Sequence, residues 1–234
     1  MIKEINLQEI RNKIVEKIKL TDWYPAIGMY LHSEEFLKLL NFLLIESQEG
    51  RRFVPELKYV FNAFEQCSLK DLSVVFVGYD PYPQILVPDG LCFSCSRQPR
   101  VEKSLDFMFK ELILQYPNAS LNPDLKHWAN QGILLFNSSL TTRPGKPGAH
   151  SLIWKEFTIL ILDYLAWNKP DLLYVFFGKN AQEFAKLVPD SNYKKLLIHP
   201  AAAAHNHSER WDSQNLFVEI NEMLLRLNKK PINW

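Results

Sequence analysis

The sequence predicts an α/β domain with a three-layer α/β/α architecture, in which a central, mostly parallel sheet of four strands lies between helices. Four short apolar runs, rich in Val, Leu, Ile and Phe, are too brief to be buried helices. Segments of helical periodicity separate these runs, and such alternation is typical of parallel sheets with right-handed crossovers. The chain has 234 residues and lacks internal repeats and low-complexity linkers, which favours one domain over residues 1–234.

Each apolar run is nearly continuous, as expected of strands buried on both faces of a sheet. The predicted strands are residues 74–77, 133–136, 172–177 and 196–198. The segments between and after them repeat their apolar residues with the period of an α-helix. The predicted helices are residues 104–115, 151–167, 181–187 and 213–228.

The first 70 residues are predicted to be mainly helical, and the motif-bearing α/β core follows over residues 71–210. Residues 1–19 alternate charged side chains with Ile and Leu, which indicates an amphipathic helix rather than a secretory signal. Ser33 is a suitable N-cap for a second helix over residues 34–47.

Charge and hydropathy limit how the protein can bind nucleic acid or membranes. Lys and Arg total 27 and Asp and Glu total 26, so the net charge of +1 provides no overall field for nucleic acid, and any polyanion site must be local. No apolar run approaches the roughly 20 residues that a membrane span requires. We therefore expect no membrane association and an intracellular, cytoplasmic location, or a nuclear or viral replication site if the source is eukaryotic or viral.

Cysteine and histidine offer weak alternatives. Three cysteines without a signal peptide indicate reduced thiols, and the spacing of Cys92 and Cys95 leaves a redox or metal pair open. A structural metal site normally has four ligands, which these residues do not supply. The histidines at 205 and 207 lack companion ligand motifs. We expect no metal.

Polar residues follow each predicted strand directly. Asp80 comes after the first run, Asn137 after the second, Lys179 after the third and His199 after the fourth. In an open parallel sheet, ligands bind beyond the carboxyl ends of the strands. The pattern predicts an active site at this edge, although residues there also cap helices and form turns.

These residues lie in motifs whose order resembles that of the family-1 uracil-DNA glycosylases. The motifs are GYDPY at 78–82, GLCFS at 90–94, LLFN at 134–137 with LT at 140–141, and HP at 199–200. The resemblance spans roughly residues 70–210, includes the eleven-residue step from Tyr82 to Phe93, and implies the same sheet architecture.

The resemblance implies a role for each residue. Asp80 resembles the catalytic carboxylate that orients water, and His199 the histidine that donates a hydrogen bond to uracil O2 as charge develops there. Asn137 would read the uracil edge, Phe93 would stack on the base, and Tyr82 would exclude the thymine methyl. The resemblance also places Tyr79 in the uracil site, and it places the following residues at the DNA: Pro83, Ser104, Pro200, Ala201 and Ala203. Arg143, Lys146 and the turn over 144–147 follow the Asn137 strand and are candidates for the wall of a DNA groove.

The chain departs from the family pattern at several positions. Tyr79 and Pro83 stand where most members have Gln and His, and DPYP at 80–83 is similar to the poxviral branch, which also serves in a polymerase processivity factor. Ala201 and Ala203 stand where the family has a phosphate-binding Ser and an intercalating Leu. Lys103 replaces a Pro. A weaker wedge implies poorer base flipping from stable duplexes.

The resemblance therefore implies a monofunctional uracil-DNA glycosylase that acts on single- or double-stranded DNA as a monomer, without metal or cofactor. A replication protein or an inhibitor protein is a further expected partner. The alternative is a catalytically weak or inactive DNA-binding scaffold of the same fold, and retained Asp80 and His199 argue against it. A redox or nucleotide enzyme using Cys92 and Cys95 would lack a phosphate-binding glycine loop.

Overall fold

The computed structural model describes residues 6–205 and 210–234, with only the backbone described at positions 204 and 205. Within these ranges, four parallel strands form one sheet in the order β2-β1-β3-β4. The strands are β1 (Val74–Gly78), β2 (Ile133–Asn137), β3 (Leu173–Phe177) and β4 (Tyr193–Leu197). The predicted three-layer α/β fold is confirmed.

Parallel register brings the functional ends of the strands together. Gly78 at the end of β1 pairs with Asn137 at the end of β2. Phe177 at the end of β3 pairs with Leu197 at the end of β4. The chain segments that leave these four strands therefore begin at one edge of the sheet.

The fourth strand differs from its prediction over residues 196–198. It begins at Tyr193, and it is an edge strand that is only partly buried rather than a central one. Lys194 and Lys195 concealed its start, because charged side chains seldom indicate a buried strand. Both satisfy their ammonium groups locally: Lys194 Nζ donates to Val188 O at 2.9 Å, and Lys195 Nζ donates to Gln214 O at 2.9 Å.

The other regular elements of the described chain are helices, which loops connect to one another and to the strands. They are α1 (Leu7–Lys19), α2 (Tyr24–His32), α3 (Glu34–Gln48), α4 (Asn62–Gln66), α5 (Lys103–Gln115), α6 (Lys126–Ala129), α7 (Ser151–Asn168), α8 (Lys179–Gln182), α9 (Pro200–His205) and α10 (Leu216–Arg226). Short 3₁₀ helices cover Leu57–Tyr59 and Ala185–Leu187. None of the described helices is both long and apolar enough to cross a membrane.

The observed helix ends agree with the predicted ones at α3 and differ from them elsewhere. Ser33 Oγ accepts from Phe36 N at 3.2 Å, which confirms the predicted cap of α3. Helix α5 begins one residue before the predicted Ser104, and Glu102 occupies its N-cap without a side-chain bond. The predicted helix over 181–187 is divided into α8 and a 3₁₀ turn, and α10 is shorter than predicted because Asn215 before it adopts φ 57°. Of the predicted helix over 1–19, residues 1–5 lie outside the described residues.

Two aromatic cores cover the two faces of the sheet. On one face, Phe136 of β2 packs against Phe64 of α4, which in turn contacts Phe157 of α7. On the other face, Phe76 of β1 packs against Trp128 of α6 and Phe177 of β3. Burial of such rings contributes most of the stabilisation of a core. Successive side chains along a strand point to opposite faces of the sheet, so both faces are apolar and both are covered by helices.

A buried carboxylate ties α3 to the loop between β2 and α7. Glu46 is 1% exposed and accepts from Arg143 Nε at 2.9 Å, from Arg51 Nε at 3.2 Å and from His150 Nε2 at 2.9 Å. Arg143 holds the pKa of Glu46 down to about 2, with help from His150 and Arg51 and against the effect of burial. This network fixes both ends of the loop over residues 143–150.

We expect Glu46→Ala to lower the free energy of unfolding by about 3–5 kcal/mol, because it leaves Arg143 and His150 without their buried partner. Glu16→Ala, which breaks an exposed pair with Lys19, is the matched control and should cost at most about 1 kcal/mol. Because the pKa of Glu46 is depressed in the folded state, its contribution should be complete above pH 4.5 and diminish as the pH falls towards 2. Urea unfolding at several pH values measures both effects, and equal losses for the two variants would contradict this role for Glu46.

Candidate active site

A cavity of about 1100 Å³ opens at the carboxyl edge of the sheet. Its walls come from the segments that follow β1, β2, β3 and β4 and from the start of α5. The sequence-predicted residues that line it are Tyr79, Asp80, Tyr82, Pro83, Phe93, Ser104, Asn137, His199 and Ala201. The structure thus brings together the residues that the sequence placed at separate strand ends.

Close packing at Gly78 shapes the floor of this cavity. A Cβ atom at Gly78 would lie 2.5 Å from Asn137 Oδ1 and 2.3 Å from Cys92 Sγ. Only glycine therefore lets the Asn137 carboxamide lie against β1. Asn137 is 7% exposed, and no described residue forms a hydrogen bond with its side chain, although the carboxamide lines the cavity. Its donor and its acceptor are available to a planar ligand.

The Asp80 carboxylate is held by the loop that follows β2. Gly148 N donates to Asp80 Oδ2 at 2.6 Å, and the Thr142 hydroxyl, which donates to Lys146 O at 3.0 Å, lies near this carboxylate. Burial raises the pKa of Asp80 above its ordinary value, whereas the Gly148 hydrogen bond and the Thr142 hydroxyl oppose the rise. Hydrogen bonds to the charged form favour ionisation in a desolvated site. The carboxylate can therefore act as a negative charge or as a general base.

His199, which also lines the cavity, is held as a neutral hydrogen-bond donor. Ala201 N donates to His199 Nδ1 at 3.1 Å, so Nδ1 is the unprotonated nitrogen and Nε2 carries the proton. Burial lowers the pKa of His199 to about 4. Gly178, with φ 84°, lies beside this side chain, since a Cβ there would be 3.0 Å from His199 Cβ. The imidazole is thus oriented by backbone contacts.

An aromatic wall completes the cavity. The Phe93 ring packs on Phe177 with centroids 4.9 Å apart and on His199 at 5.4 Å. Phe93 adopts φ 64°, a conformation that costs roughly 1–2 kcal/mol in an L-residue. Tyr82 Oη donates to Phe93 O at 3.1 Å, which ties the two aromatic residues together. The wall offers flat, rigid faces to a planar ring.

Tyr79 lies between the Asp80 segment and the loop after β2. Its backbone oxygen accepts from Ser139 N at 2.8 Å and from Ser138 Oγ at 3.0 Å. Its ring lies against Gly148, because a Cβ on Gly148 would be 2.4 Å from Tyr79 Oη. Tyr79 therefore supports the glycine whose amide binds Asp80, besides lining the cavity.

The five residues predicted to contact DNA divide into two groups. Pro83, Ser104 and Ala201 line the cavity. Pro200 and Ala203 are buried and do not line it, and Ala203 is only 8% exposed. Enlarging Ala203 to Leu would therefore strain the packing rather than supply an exposed wedge.

Cations near the cavity differ from those that the sequence suggested. Arg143, expected in a groove wall, is bound to buried Glu46. Lys146 is exposed, and of the turn over 144–147 it is Pro147 that lines the cavity. Arg100, Lys103 and Lys179 line it too. The sequence analysis noted Lys103 as a departure from the family and Lys179 as a strand-end residue, and it did not identify Arg100. Local sequence gives no sign that these three cations line one cavity.

The thiol and metal alternatives find no support. Cys92 and Cys95 are buried free thiols, and burial raises the pKa of each, which disfavours a reactive thiolate. Within residues 6–205 and 210–234, no group of three His, Cys, Asp or Glu residues is placed to hold a metal ion. The side chain of His205 and residues Asn206 and His207 lie outside the described residues.

Comparisons with known proteins agree on one family. The model of the "Uracil DNA glycosylase superfamily" matches residues 64–225. The uracil-DNA glycosylase of Amoebophilus asiaticus is 33% identical over 91% of this chain and 96% of its own, and that of Vibrio campbellii is 31% identical over 92% and 96%.

Solved structures give the same result. The crystal structure of mimivirus uracil-DNA glycosylase is 26% identical, with a TM-score of 0.82 over 98% of this chain and 89% of that one. A mimivirus UNG variant in complex with UGI has a TM-score of 0.83 at 26% identity, over 98% of this chain and 91% of its own.

We expect His199 to be neutral, with its proton on Nε2, throughout pH 5.5–8. Its pKa should lie well below 6.5, near 4, because burial penalises the imidazolium and Nδ1 accepts from Ala201 N. Nitrogen-15 NMR of the imidazole nitrogens distinguishes the two tautomers, and His32 serves as an internal reference. An imidazolium signal for His199 at pH 6, or a proton on Nδ1, would refute this assignment.

Proposed function

The chain belongs to the uracil-DNA glycosylase superfamily, and we propose that it hydrolyses the N-glycosidic bond of deoxyuridine in DNA, releasing uracil and leaving an abasic site. The observation that carries this proposal is that Asp80, His199 and the Asn137 carboxamide, which forms no hydrogen bond with a described residue, line one cavity. A duplex hides this bond, so the nucleotide must be flipped into the cavity before reaction.

The proposed chemistry divides charge between two groups. As the bond from C1′ to N1 breaks, its electron pair leaves with uracil and positive charge develops on the sugar. The Asp80 carboxylate stabilises that positive charge and orients the water that attacks C1′. His199 Nε2–H donates to uracil O2, where the negative charge develops. A preorganised donor of this kind typically contributes a few kcal/mol to lowering the barrier.

Base selection is assigned to three side chains. The Asn137 carboxamide donates to uracil O4 and accepts from N3–H, and cytosine presents the reverse pattern. Phe93 stacks on the ring. Tyr82 occupies the space beside C5, where its ring, tied to Phe93 O, blocks the methyl group of thymine. Tyr79 supports the same pocket through its contact with Gly148.

Contacts with DNA are proposed at the mouth of the cavity. Ser104 at the start of α5 and the nearby Lys103 suit a phosphate, and Pro83 and Ala201 would touch the backbone next to the flipped nucleotide. Buried Pro200 acts indirectly, by fixing the start of α9 and thereby His199. We take DPYP at 80–83 as a divergent, poxvirus-like form of the catalytic motif.

A monomer suffices for this function, because one chain supplies each of the proposed groups. We also propose that an inhibitor protein can occupy the cavity mouth, since a similar mimivirus protein was solved in complex with UGI.

The test of the proposed function is release of free uracil from an oligonucleotide with one deoxyuridine, assayed in EDTA. Asp80→Asn and His199→Ala should each reduce turnover by about 100-fold or more while DNA binding persists, since each removes a charge or donor used in the transition state. Glu16→Ala is a control remote from the cavity. DNA binding without release by the unaltered protein would favour the scaffold alternative, and undiminished turnover in both variants would refute the site assignment.

The pH profile gives a second test. Uracil release requires ionised Asp80, whose pKa is raised, so activity should fall as the pH falls through that pKa. Protonation of His199, whose pKa burial lowers to about 4, would add to this loss in acid. His199→Gln keeps a side-chain donor and removes that second titration, so an acidic limb should remain. Disappearance of the limb in His199→Gln would contradict its assignment to Asp80.

Tyr82→Ala should admit thymine, because the ring that blocks its methyl group is removed. Tyr82→Phe keeps the ring and loses only the hydrogen bond to Phe93 O, so it should retain selectivity for uracil. Thymine release from a T·A or T·G duplex is measured for both variants. Thymine release by Tyr82→Phe equal to that by Tyr82→Ala would contradict the steric role of the ring.

A further inference from the structure

The turn over residues 84–86 carries two exposed aliphatic side chains, of which Ile85 lines the cavity and Leu86 follows it directly in the chain. Ile85 is 51% exposed and Leu86 is 56% exposed. Among the described residues that line the cavity, Ile85 is the large aliphatic side chain with this degree of exposure. Side chains of this kind are usually withdrawn from water, so their joint exposure beside a ligand cavity indicates an interaction site.

The backbone on either side holds this turn in place. Pro83 O accepts from Gly145 N at 2.8 Å, and Val87 after the turn is 4% exposed. Asp89 is buried, and its carboxylate accepts from Ser94 Oγ at 2.6 Å. The turn over residues 84–86 is therefore fixed at both ends.

Leu86 itself adopts φ 64°. This conformation is unfavourable for an L-residue other than Gly, Asn or Asp, so Leu is a costly choice at this position unless its side chain is used.

The charges around the cavity favour nucleic acid as the occupant. Arg100, Lys103 and Lys179 line the same walls, and the carboxylates there are Asp80, inside the cavity, and Glu102 at the N-cap of α5. Three cations near an apolar tip suit a ligand with phosphates around flat apolar bases. An apolar protein helix would leave those cations without partners.

Flipping a nucleotide leaves a gap in the base stack, and DNA-bending proteins fill such gaps with Ile, Leu or other apolar wedges. Helix α9 offers no such wedge among its described side chains: Ala203 is buried and Ala201 presents only a methyl group. Two aliphatic side chains, in contrast, stand exposed on the turn after Pro83.

We propose that Ile85 and Leu86 form the apolar wedge that packs against the bases beside the flipped nucleotide and keeps the stack open. This inference rests on the proposed function, because it assumes that a nucleotide enters the cavity.

The test compares Ile85→Asn/Leu86→Asn with the unaltered protein. Asn tolerates φ 64°, so the double variant removes apolar surface without adding backbone strain. Ile85→Leu/Leu86→Met keeps the apolar surface and should behave like the unaltered protein. Leu121→Asn removes a 44% exposed aliphatic side chain that does not line the cavity, and it is the control for nonspecific loss of surface.

Two measurements are made on each variant. The first is kcat/KM for uracil release from a U·A duplex and from the same single strand. The double Asn variant should lose about tenfold on the duplex, equivalent to about 1.4 kcal/mol, and at most about twofold on the single strand. Equal losses on both substrates, no loss, or the same loss in Leu121→Asn would overturn the proposal.

The second measurement requires no turnover. A duplex with a tetrahydrofuran abasic-site analogue carries 2-aminopurine next to that site, and fluorescence reports unstacking of the neighbouring base. The unaltered protein should raise the fluorescence, and the double Asn variant should lose most of this rise and bind about tenfold more weakly.

The two proposals can fail separately. If the unaltered protein releases no uracil but the abasic duplex responds as expected, the proposed function fails and the wedge stands. If uracil is released and the double Asn variant matches the unaltered protein on both duplexes, the wedge fails and the function stands. If the double Asn variant loses only its binding to purified UGI, and both DNA measurements are unchanged, the turn is a protein-binding surface and the wedge proposal is overturned.

Discussion

The close approach of three chain segments at Gly78 is the constraint on which the site depends. Strand β1 ends there, and the absence of a Cβ lets Asn137 and Cys92 pack against its backbone. The Cys92 amide also donates to Leu135 O at 3.0 Å, so the segment that carries Phe93 is attached to β2. Any larger residue at position 78 would push the Asn137 carboxamide and the segment that carries Phe93 away from β1. The parallel register of β1 and β2 then fixes the depth of both in the cavity.

Electrostatics in this cavity follow from burial and its partial compensation. Desolvation moves Asp80 and His199 towards their neutral forms, raising one pKa and lowering the other. A neutral His199 with its proton on Nε2 is a hydrogen-bond donor, which is the state that the proposed reaction uses. The same reaction uses an ionised Asp80, and the hydrogen bond from Gly148 N opposes the rise of the Asp80 pKa. The Gly148 loop is in turn attached to the body of the protein through Glu46. A buried ion network whose members lie far from Asp80 in sequence thus supports the loop that binds the Asp80 carboxylate.

The sequence predicted those features that depend on local pattern. Strands β1, β2 and β3 were found within one residue of their ends because buried parallel strands are continuous apolar runs, and Asp80, Asn137 and His199 follow strand ends directly. Other features have no local signal. The Gly148 amide is a backbone group, and His150 meets Glu46 across 104 positions of sequence. The burial of Ala203 depends on how α9 packs. The start of β4 at Tyr193 is concealed by Lys194 and Lys195, whose ammonium groups donate to the carbonyl oxygens of Val188 and Gln214.

Base recognition and the handling of DNA depend on different parts of this fold. The groups that would read and release uracil sit on strand ends and on segments pinned by hydrogen bonds, where a shift of 1 Å would misalign them. The side chains that would meet DNA sit on the turn over 84–86 and at the start of α5, which lie outside the sheet. A change in those segments leaves Asn137, Asp80 and His199 in place. The departures from the family pattern at Ala201 and Ala203, and the exposed aliphatic side chains of the 84–86 turn, therefore leave the strand-end residues where they are.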